Sequence, residues 1–356
     1  MNKTPQVDAL QAAFHSVLMF LFGIAGAGTA FDPLILLLLA LILDIGAGAA
    51  VNRWRLSWHP LNVIGSIANW CDRKLNRAHR PEMDRTIRGL IAMLLLVATA
   101  ATIGWLIAWA SLSVPLMWIL ETALILMLLD QSGVHARVRR AALAIGVNDT
   151  DKARQEIAPI ASGDTESMDA HAVARAGLEG CGRALAAGVV APVFWYALFG
   201  FPGLLVFRLV SEMDRIIGHR TQEYVAFGFA PAHTNHILLY LPARIAGLLV
   251  FIASLFVPTT SPRAALNTML HEAAQFRSSN LHWPVGAMAG ALGIALGGNS
   301  VGNGTATGRP WLGAGSPRVT GLDLRRGIYL FAVACLLNSA WLAMLLAVRL
   351  IQGSTT

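Results

Sequence analysis

The sequence predicts an all-α fold, a polytopic integral membrane helical bundle with a helical cytoplasmic insertion, and three observations predict it. Of 356 residues, 55% are apolar and 13% charged, whereas about a quarter of a soluble domain is charged; the mean hydropathy is +0.57. Several apolar runs approach the roughly 20 residues that span hydrocarbon. Basic residues crowd the connections between those runs, the bias of cytoplasmic loops.

Each element follows from the order of those runs. The first spans are Phe14 to Ala30 and Leu34 to Val51, the second introduced by Asp32 and Pro33. AGAGTA resembles a signal-peptide processing region, but a second apolar run follows at once and only Lys3 supplies a preceding charge, so a retained helical hairpin is expected. A second hairpin comprises Leu90 to Ala110 and Pro115 to Leu129, joined through SLSVP. Later spans are Gly188 to Val210, Ile237 to Val257 and Ile328 to Ile351. Gly200, Pro202 and Gly203 interrupt the first of these, leaving a simple span and a broken or re-entrant one both open. Pro284 to Leu296, 13 residues, is short for a crossing and fits a buried or re-entrant segment.

The chain divides into N-terminal transmembrane helices over 1–130, a polar helical insertion over 131–187, and a C-terminal membrane region with site loops over 188–356. Arg53 to Arg88 and Arg137 to Arg154 are the arginine-rich connections. Placing both in the cytoplasm puts the amino terminus there as well, in a multi-pass protein of the inner (cytoplasmic) membrane. The insertion holds a short helix with Asp149 or Thr150 as its cap, bounded at Pro159 and Gly163, and a second helix from a cap at Asp169 to Ala187. Asp149, Asp151, Asp164, Glu166 and Asp169 suit Mg²⁺ by chemistry, but caps and turns use the same residues, and that is their expected use.

The excess of 27 Lys and Arg over 20 Asp and Glu gives +7, read as loop bias and contact with anionic lipid. No basic groove interleaved with aromatics argues for nucleic acid. Cys71, Cys181 and Cys335 lack the spacing of a zinc site or a disulfide scaffold and are expected to be reduced and structural.

Polar chemistry concentrates between Gly188 and Arg244, where Arg208, Arg215 and Arg220 sit close together among apolar runs. Further on, RSSNLHWPVGAMAGALGIALGG sets Arg277 and Asn280 before a small-residue segment. Its Gly290, Gly293, Gly297 and Gly298 permit close helix approach, or backbone amides facing an anion. They match no nucleotide-binding fingerprint. NGTATGRPWLGAGSP reads as a loop, covering a pocket or lying plainly on the surface.

Taken in order, LILD, WHPLNVIG, ASGDTESMDAHAVARAGLE, GVVAPVFWYALFGFPG, MDRIIGHR with YVAFGF, LPAR, and RSSN followed by WPVGAMAGALGIALGG resemble the CobD/CbiB family, the membrane-associated adenosylcobinamide-phosphate synthases of cobalamin biosynthesis. The resemblance covers most of the chain. It implies ATP-dependent amide formation between adenosylcobyric acid and an aminopropanol phosphate, with Mg²⁺ and ATP required and a corrinoid bound. Carried onto this sequence, it makes Asp214, Arg215 and Arg220 catalytic, with Asp214 binding Mg²⁺ or orienting an arginine. His59, Arg208, Arg244, Arg277 and Asn280 become substrate-binding residues.

The sequence also departs from the family pattern. GDP after the first LD motif is replaced by IGAGAA after Asp44; AEN and a later Asp become Arg183, Ala184 and Ala187. NTLDSM survives partly as SEMD, keeping Asp214 but with Ser211 in place of the asparagine. Asn235 and His236 stand where paired aspartates are expected, and Val285 where a glutamate is. Losing those carboxylates removes the oxygen ligands Mg²⁺ prefers, and Glu212 or Glu223 is the nearest acidic replacement. Two rivals to the ligase follow: a catalytically reduced subunit of a membrane protein complex, needing no cofactor, and a corrinoid-binding module.

Overall fold

The computed structural model describes residues 31–51, 59–77, 80–219, 221, 224–276, 279–298, 300–302, 305–307 and 311–353. The expected span Phe14 to Ala30, the arginines at 53 and 55, Arg220, Glu223 and Arg277 lie outside the described residues. The protein is a predominantly helical polytopic membrane bundle. Glu82–Ser113, Met117–Gly146, Ala170–Ile217 and Gly321–Gln352 are long and apolar enough to cross a bilayer, and Phe229–Leu238 with Tyr240–Ala253, bent by 45°, makes a fifth span if counted as one.

The described chain forms two compact units. Unit 1 comprises Met1–Ile42, Ser57–Leu128 and Pro192–Asn235. It contains most of α1 (Pro33–Val51), α2 (Pro60–Leu75), α3 (Glu82–Ser113) and α4 (Met117–Leu128). Asp32 starts α1 as its sequence position suggests, its carboxylate accepting the Leu34 amide at 2.8 Å. Glu82 and Asp84 occupy the first turn of α3, where negative charge suits the helix dipole. Buried Gly89, Ala92, Met93, Ala100, Gly104 and Ser111 mark one face of that helix. Its small residues are required by the packing: a Cβ on Gly104 would lie 2.7 Å from the Pro202 Cα, so the backbones meet as membrane helices with small interface residues do.

Most of α8 (Ala191–Ile217) also belongs to unit 1, and it breaks where the sequence signals. Gly200 adopts φ 66° and ψ −157° inside it, a conformation open to glycine and strained for other residues. Phe201, Leu204 and Phe207 beyond the break are almost fully buried.

Unit 2 comprises Leu43–Leu56, Leu129–Ala191 and His236–Thr356. Its helices are α5 (Gln131–Gly146), α6 (Thr150–Ile157), α7 (Ala170–Ala184), the end of α9 (Phe229–Leu238), α10 (Tyr240–Ala253), α11 (Pro262–Asn267), α12 (His282–Leu292) and α13 (Gly321–Gly353). Asp149 caps α6 by accepting the Lys152 amide at 3.0 Å, and Asp169 caps α7 by accepting that of Ala172 at 2.7 Å, as their positions predict. A π-helical stretch, Leu185–Val190, follows α7 directly, so helix continues past the expected end at Ala187.

At the centre of unit 2, α12 packs on α7, α10 and α11. Every residue from Pro284 to Leu292 is buried, which fits the reading of a segment too short to cross. A Cβ on Gly290 would collide with the Ala264 carbonyl, and Gly293 ends the helix in the left-handed conformation, φ 67°.

The fold is helical as expected, with one small addition. Two small antiparallel pairs follow α12: β1 (Leu296–Gly297) with β4 (Trp311–Leu312), and β2 (Ser300–Gly302) with β3 (Thr305–Thr307). The expected loop is therefore partly hairpin. Its amides face anions that the protein supplies itself: Gly297 N donates to Glu179 at 2.8 Å and Gly313 N to Glu272 at 2.7 Å. The three cysteines are free and buried.

Candidate functional site

The last turns of α8 carry the polar residues of unit 1. Asp214 accepts a 2.6 Å hydrogen bond on Oδ2 from Nδ2 of Asn235. Asn235 is 6% exposed, and its Oδ1 is buried with no hydrogen-bond partner. Leaving such an acceptor unmade costs about 1–3 kcal/mol, so this amide oxygen is an unspent ligand beside a carboxylate. Gly218 makes room for that carboxylate, because a Cβ there would collide with it.

Arg215 does not pair with Asp214. It forks onto Glu212, Nη2 to Oε1 at 2.5 Å and Nε to Oε2 at 2.9 Å, with its own side chain 69% exposed. Arg215 thus makes an i,i+3 pair on the helix surface, and Glu212 is engaged as an arginine partner. Arg208 lies buried on the same helix. His59 caps α2, its Nδ1 accepting the Leu61 amide at 3.3 Å ahead of Pro60 at the first helical position.

Unit 2 holds a second cluster. Arg244 lies over the rings of Tyr240 at 3.5 Å and Trp283 at 4.6 Å, contacts worth about 0.5–2 kcal/mol each. Its Nη1 donates to the Tyr240 carbonyl at 2.5 Å and to Asn280 Oδ1 at 3.4 Å. Asn280 in turn donates from Nδ2 to the His236 carbonyl at 2.6 Å. The structure therefore joins Asp214 to Asn235 and Arg244 to Asn280, and gives Arg215 and His59 separate local partners.

Two buried carboxylates escaped the choice of site residues. Glu121, 3% exposed on α4, accepts the Tyr196 hydroxyl at 2.7 Å. Its signal is plain in retrospect, for it is the sole charged residue between Arg88 and Asp130, and a lone acid in a span calls for a partner. Asp44, 2% exposed, accepts both the hydroxyl and the amide of Ser132, at 2.6 and 3.0 Å.

Oxygen donors for a divalent metal are sparse. Among the described residues no group of three or more His, Cys, Asp or Glu converges. Mg²⁺ takes octahedral oxygen coordination, commonly one or two carboxylates completed by water and phosphate. Asp214 and the Asn235 amide oxygen supply two oxygen donors, too few for a closed protein cage but in keeping with an ion that completes its shell with water and phosphate.

Comparison with known proteins decides the ancestry. The model of the CobD/Cbib protein family matches residues 37–331. The chain belongs to the CobD/CbiB family. A "Cobalamin biosynthesis protein CobD" of Sinorhizobium sp is 34% identical over 306 residues, 85% of this chain and 94% of that protein. Similarly named proteins of Rhizobium meliloti (strain 1021) and Rhodobacter capsulatus are 29% and 30% identical, covering 85% and 83% of this chain and 94% and 92% of theirs. No solved structure matches. Two residues at the expected departures from the family pattern are held by the fold: Arg183 pairs with Glu179 at 3.5 Å and donates to the Ile160 carbonyl at 2.8 Å. Val285 is buried, 2.9 Å from where a Cβ on Gly182 would stand.

Proposed function

We propose that this CobD/CbiB chain is an ATP-dependent ligase of the cytoplasmic membrane that joins adenosylcobyric acid to an aminopropanol phosphate, its amino terminus on the cytoplasmic side. The observation that carries the reading is the match along 94% of a cobalamin biosynthesis protein. In the reaction, a carboxylate oxygen attacks the γ-phosphorus of ATP, the bridging P–O bond breaks and ADP leaves. The amine nitrogen then attacks the acyl phosphate, the C–N bond forms, the C–O bond breaks, phosphate departs and the amine loses a proton. Arg215 and Arg220 neutralise charge during phosphoryl transfer, and Asp214 would hold Mg²⁺ or orient an arginine. His59, Arg208, Arg244, Arg277 and Asn280 position substrates.

The test is ADP release by the full chain in nanodiscs with MgATP, adenosylcobyric acid and aminopropanol phosphate. Release requiring all three, and falling by roughly a hundredfold in Asp214→Asn, is the expected result. A second reading, a family scaffold that holds a corrinoid or a membrane partner without turnover, is favoured by the ion-paired Arg183 and the packed Val285. Absence of ADP release, with corrinoid or partner protein retained through purification, selects it.

A further inference from the structure

Unit 2 contains a cavity of about 830 Å³ that the ligase reading does not use. Its size falls within the range of small-molecule sites, roughly 300–1,000 Å³. Arg137, Arg139 and Arg140 of α5 line it, against a single carboxylate, Glu156, which pairs with Arg140 at 3.3 Å. Phe331 and Leu336 of α13 contribute apolar lining. Ser132 also lines it, but its hydroxyl is spent on Asp44. One part of the lining is therefore cationic and another is apolar.

The position along α13 adds depth to this chemistry. Arg326 precedes an uncharged stretch from Gly327 to Val348. At about 1.5 Å per residue, Phe331 and Leu336 lie about 8 and 15 Å along that helix from Arg326. An apolar body fits beside such residues, while arginine side chains with long apolar stems serve the polar end.

We propose that this cavity binds a phosphate-bearing amphiphile, with the anionic head on Arg137 and Arg139 and the apolar body along Phe331 and Leu336. A bilayer phospholipid and a soluble phosphorylated amphiphile share this chemistry, and the experiment separates them. The full chain is reconstituted in nanodiscs of mixed phosphatidylglycerol and phosphatidylcholine, released, and weighed by native mass spectrometry; inorganic phosphate is titrated separately by calorimetry.

Selective retention of phosphatidylglycerol, falling roughly tenfold in the Arg137→Gln/Arg139→Gln double variant, identifies the bilayer source. Phosphate binding that the double variant loses, without retained lipid, identifies the soluble source. Leu336→Trp fills the apolar part of the cavity and leaves the arginines in place, so it should abolish lipid retention and spare the binding of inorganic phosphate. Leu143→Trp, at a half-exposed lining position, repeats the test if the first variant melts early. Wild-type lipid retention in a folded filling variant would show that the lipid rides on the outer surface, and the proposal would fall. Neither lipid nor phosphate bound by the wild-type chain would overturn it equally.

Discussion

The helices α3 and α12 are both strongly apolar, yet they solve opposite problems. In α3, 32 residues long, only 22% of the most apolar window is buried inside the protein, and Leu94, Leu95, Trp105 and Trp109 stand more than half exposed. In α12, 11 residues long, everything from Pro284 onward is buried. Length separates them: at about 1.5 Å per residue the first reaches roughly 48 Å, more than a hydrocarbon core, and the second about 17 Å. Composition adds to the difference. The interior helix is rich in Gly and Ala, so neighbouring backbones close on it, whereas the spanning helix carries many bulky side chains outward and buries Gly89, Ala92, Ala100 and Gly104. Apolar sequence in this protein therefore means lipid contact in one place and tight protein packing in another.

Substitutions break or sharpen that contrast. The largest effect is expected for Gly290→Ala, because the new Cβ meets the Ala264 carbonyl, which is backbone and cannot swing away. Destabilisation of about 3 kcal/mol in detergent unfolding is expected, the upper part of the overpacking range. A neutral result would mean that α12 is loosely held. Next comes Glu121→Ala, which leaves the buried Tyr196 hydroxyl without its acceptor and should cost about 1–3 kcal/mol; Glu121→Gln, which keeps an acceptor oxygen, should cost less. Smallest is Leu95→Ala on the outer face of α3, 64% exposed, with an expected change within about 0.5 kcal/mol. A loss as large as that in the core would place a protein partner, and not lipid, on this face.

What was legible in the sequence was local. Asp32, Asp149 and Asp169 cap helices because a short carboxylate reaches an amide two or three residues ahead, and spacing alone reveals that. Gly200 with Pro202 left a simple span and a broken one both open, and the backbone at Gly200 selects the break. The Glu212–Arg215 pair is equally local, an i,i+3 contact on one helix. Other features depend on residues brought together from afar. Glu121 meets Tyr196 across 75 positions and Asp44 meets Ser132 across 88, and no periodicity encodes either pairing. The small strand pairs were missed because Gly, Thr and Ser punctuate them, leaving no apolar alternation to read. Within the candidate site, Asp214 was singled out by its place in the MDR motif, which says nothing of its neighbour. That the neighbour would be Asn235 required the fold.

The break at Gly200 has a consequence for how the chain is assembled. An interrupted helix strips several amides and carbonyls of their regular partners, and hydrocarbon offers no replacements, so such a backbone is tolerable only when other protein surrounds it. Here part of that cover comes from α3, whose Gly104 lies against Pro202. Because α3 precedes α8 in the chain, it leaves the ribosome first. Synthesis in this direction delivers the shelter before the segment that needs it, and a circular permutant reversing that order should reach the membrane in poorer yield.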